Sequence, residues 1–149
     1  MVSAHYAGLM RPAQGEAREA LRARQDAANN ARLLERLAGA AERRASFVCT
    51  LVALRHAQDP EPLVAVGRWA GEILAAPRGS GGFGYDPLMF VPALAATVAE
   101  LAAQVKNAHS HRAIAVARME QVAVLFLLRA KEGWGYRFRH DFCRDGRRG

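Results

Sequence analysis

Two short stretches of the sequence carry side chains that could act together on a ligand. The first is Arg78 to Pro92, in which four glycines, Gly79, Gly81, Gly82 and Gly84, fall within six positions and alternate with Phe83 and Tyr85 at the end. Glycine tolerates positive φ and leaves the backbone bare for close approach. If the segment is extended, the Phe83 and Tyr85 rings point to one side and offer flat apolar faces to a flat partner such as a purine. Asp86 precedes Pro87, which biases it toward extended backbone, and its carboxylate there could accept ring N–H groups. The second stretch is Lys106 to Arg112. Ser110 is a natural N-cap, a helix start favours anions, and Lys106 and Arg112 add cations that pair with phosphate oxygens. On residue type alone His111 reads as a capping or surface histidine. The bare pattern also fits a glycine turn leading into a buried strand, and it is not the dinucleotide-binding fingerprint GxGxxG, which also needs a preceding strand and a following helix.

These side chains need a scaffold, and its elements are visible in outline. Glu16 to Arg44 is rich in Ala, Leu, Arg and Glu, with Leu33, Leu34 and Leu37 at helical spacing and Asn30 available as an N-cap; its charged residues read as a solvated face. Ser46 to Ala57 is β-branched and aromatic on both faces, which predicts a strand covered on both sides. Asp59-Pro-Glu-Pro62 turns the chain, Leu63 to Trp69 returns as a second strand, and Gly71 to Ala76 carries the sheet on to the glycine loop. Thr97 and Glu100 have capping-box spacing, so Glu100 is structural. A long helix is expected from Ser110 to about Lys131.

In order along the chain, GGFGYDPLMFVP, TVAEL and K-x-x-x-SHR resemble the inosine triphosphate pyrophosphatase (ITPase) family, and Ser3-Ala4-His5-Tyr6-Ala7-Gly8 is similar to an upstream segment of it. The resemblance implies an α/β fold with a central mixed sheet flanked by helices. It implies Mg²⁺-dependent hydrolysis of deaminated purine nucleoside triphosphates (ITP, dITP, XTP) to monophosphate and pyrophosphate, a homodimer, and a nucleotide pocket to which Phe83, Gly84, Tyr85, Asp86, Lys106, His111 and Arg112 contribute. The family's SGNxxK loop, its glutamate and its DSG aspartate have no counterpart in these residues. The chain therefore reads as an N-terminally truncated member, with no catalytic or metal-binding residues of its own and inactive alone.

Composition sets the remaining bounds. The chain has 149 residues, 51% apolar and 23% charged, as expected of one soluble domain. Cys49 and Cys143 form no metal or redox spacing, and Cys49 lies in an apolar run that suits a buried free thiol in a reducing cytoplasm. The net charge of +7 is almost all arginine, since Lys106 and Lys131 are the two lysines. Residues 1–132 read as a partial ITPase-like domain, and 133–149, with five arginines against two aspartates, as an unstructured basic tail. Two other readings stay open: a non-catalytic purine-nucleotide-binding protein, and a basic interaction module acting through the tail.

Overall fold

The computed structural model describes residues 3–131. Helix α1 (Arg18–Arg36) is followed by strands β1 (Arg44–Ala53), β2 (Leu63–Ile73), β3 (Met89–Val91) and β4 (Ala96–Thr97), then helices α2 (Ala103–His109) and α3 (His111–Lys131). The strands lie in the order β1-β2-β3-β4, and each neighbouring pair is antiparallel. The α/β class stands; the parallel pairing that would make the sheet mixed is not found among the described residues.

The β1–β2 hairpin is in register from Arg44↔Glu72 to Ala53↔Leu63. Alternation then puts Ala65, Gly67, Trp69 and Ile73 on one face of β2, and that face is buried. Trp69 and Ile73 pack with Leu33 of α1 and with Leu88, Met89, Val91 and Val98 in the core. On the opposite face Val48, Val52 and Val64 are exposed, so the expected cover on both sides of β1 is absent among the described residues. Cys49 is correspondingly a half-buried free thiol rather than a fully buried one. Strand β2 runs unbroken where two pieces were expected.

Helix α1 is shorter than the Glu16–Arg44 reading. It stops at Arg36 because Arg43 reaches back, donating from Nη1 to the Leu37 carbonyl at 2.8 Å and from Nε to the Ile73 carbonyl at 2.7 Å, which commits 37–44 to a turn and a strand start. Asn30 lies inside the helix and is no N-cap. Ser110 does cap α3, its Oγ accepting the Ala113 N–H at 3.2 Å. At the glycine loop, Glu100 takes the Thr97 N–H at 2.7 Å and pairs with Arg78 at 2.8 Å, a contact that holds its carboxyl down at about 2. The expected capping box is only half formed: the Thr97 hydroxyl donates to the Arg78 carbonyl at 2.9 Å, and no helix starts there.

The distance between α3 and the sheet is set by Gly67. A Cβ on this residue would stand 1.9 Å from the His111 carbonyl oxygen and 2.6 Å from the Ala115 N, both backbone atoms that cannot swing aside. Gly67→Ala is therefore expected to destabilise the fold by about 1–3 kcal/mol, read by urea unfolding, because α3 must lift off β2. A change within ~0.5 kcal/mol would mean that the contact relaxes freely.

Candidate functional site

All seven residues singled out from the sequence line one cavity of about 470 Å³. Its floor is the sheet, through Phe47 and Trp69; one wall is the glycine loop, and the other is the junction of α2 and α3. The volume lies within the range of small-ligand sites, about 300–1,000 Å³.

The loop that carries the rings is a turn, not the extended segment expected. The Asp86 N–H donates to the Phe83 carbonyl at 3.3 Å and the Leu88 N–H to the Tyr85 carbonyl at 3.0 Å, so strand β3 begins only at Met89. Consequently the two rings part company. Tyr85 packs against the core and donates its hydroxyl to the Ser3 carbonyl at 2.7 Å; burial, with Tyr6 and Asp26 nearby, pushes its phenol above the usual range and keeps it a donor. Phe83 stays 49% exposed, with its ring open to the cavity.

Asp86 is 5% exposed, and its role differs from an open acceptor for a ring N–H. Its Oδ2 accepts the Phe83 N–H at 2.9 Å and a short charge-assisted bond from Lys106 Nζ. The carboxylate thus closes the turn and holds the lysine at the same time. Gly82 makes room for it: at φ +76°, it occupies backbone that L side chains rarely adopt, and a Cβ would sit 2.1 Å from that Oδ2.

Three cations from three elements converge on the Phe83 ring. Lys106 Nζ lies 4.6 Å from its centroid, the Arg112 guanidinium 5.5 Å and the Arg22 guanidinium 6.0 Å. Lys106 is balanced by Asp86, while Arg22 and Arg112 form no ion pair among the described residues. His111 closes the arrangement from beneath, its ring 5.2 Å from that of Phe47 and its Nδ1 buried without a partner. Burial first, then the neighbouring Arg112, depresses its pKa below the ordinary histidine range, with Asp86 opposing in part. The imidazole is therefore neutral at pH 7. Chemically, the site offers an apolar ring face, positive charge and a neutral imidazole, which suits a flat heterocycle carrying oxygens and phosphate.

Four side chains of α1, Arg22, Asp26, Asn29 and Asn30, reach this site although its charged residues read as a solvated face, and three of them, Arg22, Asp26 and Asn30, meet the Phe83 side of it. Arg22 and Asp26 line the cavity, Asp26 Oδ2 accepts the Gly84 N–H at 2.8 Å, and Asn30 Nδ2 donates to the Gly84 carbonyl at 3.0 Å. Their i, i+4, i+8 spacing marks a polar stripe, the one signal in the sequence that could have separated them from the rest of that face. As to a metal, among the described residues no group of three or more His, Cys, Asp or Glu could hold one. The two carboxylates of the cavity, Asp26 and Asp86, already serve protein donors, so these residues do not fit Mg²⁺ and no step is drawn through it.

Residues 8–122 match the Ham1 family. The dITP/XTP pyrophosphatase of Leptothrix cholodnii is 69% identical over 119 residues, covering 78% of this chain and 56% of the relative; that of Burkholderia pseudomallei is 59% identical over 110 residues, covering 71% and 53%. Among solved structures, a HAM1 protein from Coxiella burnetii superposes with a TM-score of 0.61 at 43% identity, over 69% of this chain and 52% of that one. The Staphylococcus aureus Ham1 protein superposes with a TM-score of 0.64 at 35% identity, over 85% and 57%. The chain thus spans a little over half the length of the curated relatives it matches. With residues 8–122 inside the match, and with relatives named dITP/XTP pyrophosphatase upholding the family resemblance of its loop motifs, the chain belongs to the Ham1 family.

Proposed function

We propose that the protein serves the hydrolysis of deaminated purine nucleoside triphosphates (ITP, dITP and XTP), in which water adds across the α–β anhydride to give monophosphate and pyrophosphate. The cavity around Phe83 holds the purine nucleotide. The observation that carries this reading is the exposed Phe83 ring with Lys106 and Arg112 beside it, in a chain whose relatives bear the name dITP/XTP pyrophosphatase.

The donor pattern supports a 6-oxo purine. Lysine and arginine can only donate hydrogen bonds, so beside a base stacked on Phe83 they match a carbonyl acceptor and leave the amino group of adenine unpaired. A site built for one hydrogen-bond pattern rejects the other strongly, by about 10⁴-fold in favourable cases. The Mg²⁺ that the resemblance implies would draw its ligands from outside the residues described. A homodimer in the cytoplasm belongs to the same proposal, as does the division into a domain over 1–132 and a basic tail over 133–149, the last of which lies outside the described residues. Among the described residues no helix is long and apolar enough to cross a membrane.

Calorimetric titration of the chain with IMP and AMP tests the pocket. IMP is expected to bind at least about tenfold more tightly, the equivalent of one well-made hydrogen bond; equal affinities, or no binding of either, would remove the reading. Because the chain is expected to be inactive alone, pyrophosphate release from ITP with Mg²⁺, measured with these residues joined to the part of the relatives' length that they do not span, then separates the two functional classes. Turnover supports the hydrolase, and binding without turnover favours a nucleotide-binding protein.

A further inference from the structure

Helix α1 meets the glycine loop with one stripe of side chains, Arg22, Asp26 and Asn30, stacked on one side at four-residue spacing. Two of the three grip the same residue. Asp26 Oδ2 takes the N–H of Gly84 at 2.8 Å, and Asn30 Nδ2 donates to its carbonyl at 3.0 Å, so both polar groups of Gly84 are held from adjacent turns of one helix. Gly84 lies between Phe83 and Tyr85, and its backbone torsions set the direction in which the Phe83 ring leaves the chain relative to the half-buried Tyr85 and the buried Asp86.

The clamp is anchored at its far end by hydrogen bonds and core packing. On the neighbouring side of α1, Asn29 is 1% exposed and bonds to Ala4 and Ala7, while Gln25 bonds to Gly8 and Met10, and Leu33 is part of the core. Asn30 also carries a cost, because its Oδ1 is buried without a partner. The alternative amide orientation would set that oxygen against the Gly84 carbonyl, acceptor to acceptor, so the orientation is selected by the contact with Gly84. A buried acceptor left unmatched to keep one bond to a glycine carbonyl indicates that the position of this carbonyl matters.

We propose that Asp26 and Asn30 are positioning residues for the purine-binding platform, fixing Gly84 so that Phe83 is presented to the nucleotide between its flanking cations. The proposal rests on the nucleotide reading of the cavity. Neither residue needs to touch the ligand: each lowers the ordering cost of binding by holding a flexible glycine in the bound geometry beforehand.

The test combines Gly84 amide hydrogen exchange with IMP titration in matched variants. Asp26→Ala removes the acceptor and is expected to speed Gly84 exchange and weaken IMP binding about tenfold. Asp26→Asn keeps an acceptor oxygen and is expected to restore both; Asn30→Asp cannot donate and is expected to behave like Asp26→Ala. In a Phe83→Ala background the Asp26→Ala loss should largely vanish, because the clamp acts through that ring, whereas a merely structural role would add to the Phe83→Ala loss. Unchanged IMP affinity in Asp26→Ala, or full additivity with Phe83→Ala, overturns the positioning role. If the unsubstituted chain binds no IMP, it is the nucleotide reading that fails; Gly84 exchange still decides the clamp, and an unprotected Gly84 amide in the unsubstituted chain overturns it.

Discussion

Asp86→Ala is expected to destabilise the fold by about 3–5 kcal/mol, the range found when one member of a buried ion pair is removed. The Asp86 side chain is 7% exposed and that of Lys106 18%, and the carboxylate also satisfies the Phe83 N–H. Deleting it strands an ammonium group beside an aromatic ring and opens the turn that carries the ring. Lys106→Met should be similarly damaging, since it leaves the carboxylate unpaired. The double variant should cost clearly less than the two single losses added together, because no uncompensated charge remains. Urea unfolding of the four proteins measures this directly. Additive losses, or an Asp86→Ala cost below ~1 kcal/mol, would show that the two groups are not coupled in the folded chain.

Nucleotide affinity should fall about 10- to 100-fold in Arg112→Ala with little change in unfolding midpoint. Arg112 is exposed, and among the described residues its guanidinium makes no ion pair and stands 5.5 Å from the Phe83 ring, so the fold gains little from it. Hydrogen bonds to a charged group are worth about 1.5–3 kcal/mol, which corresponds to that span of affinity. A protein that loses stability but keeps its IMP affinity would remove Arg112 from the site.

His111 adds a pH dependence whose sign follows from its environment. Its folded pKa is depressed, chiefly by burial and then by Arg112, so below about 6.5 the unfolded chain takes up a proton that the folded chain refuses. Free of nucleotide, the chain is thus expected to keep this stability above about pH 6.5 and to lose it as pH falls toward the depressed value. A bound phosphate raises the pKa of a nearby imidazole, so nucleotide binding should draw in a proton and tighten as the pH drops through this window. Comparison with His111→Gln separates the effect from titration of the phosphate itself. If both proteins show the same proton uptake on binding IMP, His111 does not sense the anion.

The parts of the site that could be read in advance are the local ones. Ser110 starts α3 because its Oγ reaches an N–H three residues on, and Glu100 folds back on Thr97 across the same short span. The β1–β2 hairpin and the cations at 106 and 112 are likewise contained in short windows of residue types, where geometry follows from spacing, whereas the glycine loop showed its residue types but not the turn that parts its two rings. Asp86 shows where this stops. A carboxylate before proline looks available to a ligand, and only folding shows it committed to Lys106, 20 residues away.

The stripe on α1 makes the same point over a longer span. Helical periodicity identifies a polar face, and on an isolated helix such a face is solvated. That Asp26 and Asn30 instead hold Gly84, 58 and 54 residues further on, depends on Leu33 docking into the core beneath Trp69 and on β2 and β3 bringing the loop back over the helix. Hydrophobic burial selects that docking without regard to which polar groups it brings together. Residue types and local spacing therefore identified the family, the ring and two of its three cations; the packing of α1 against the returning loop added Arg22 and decided which groups remain free for a ligand, since hydrogen bonds across the fold consume donors and acceptors that look open in the chain.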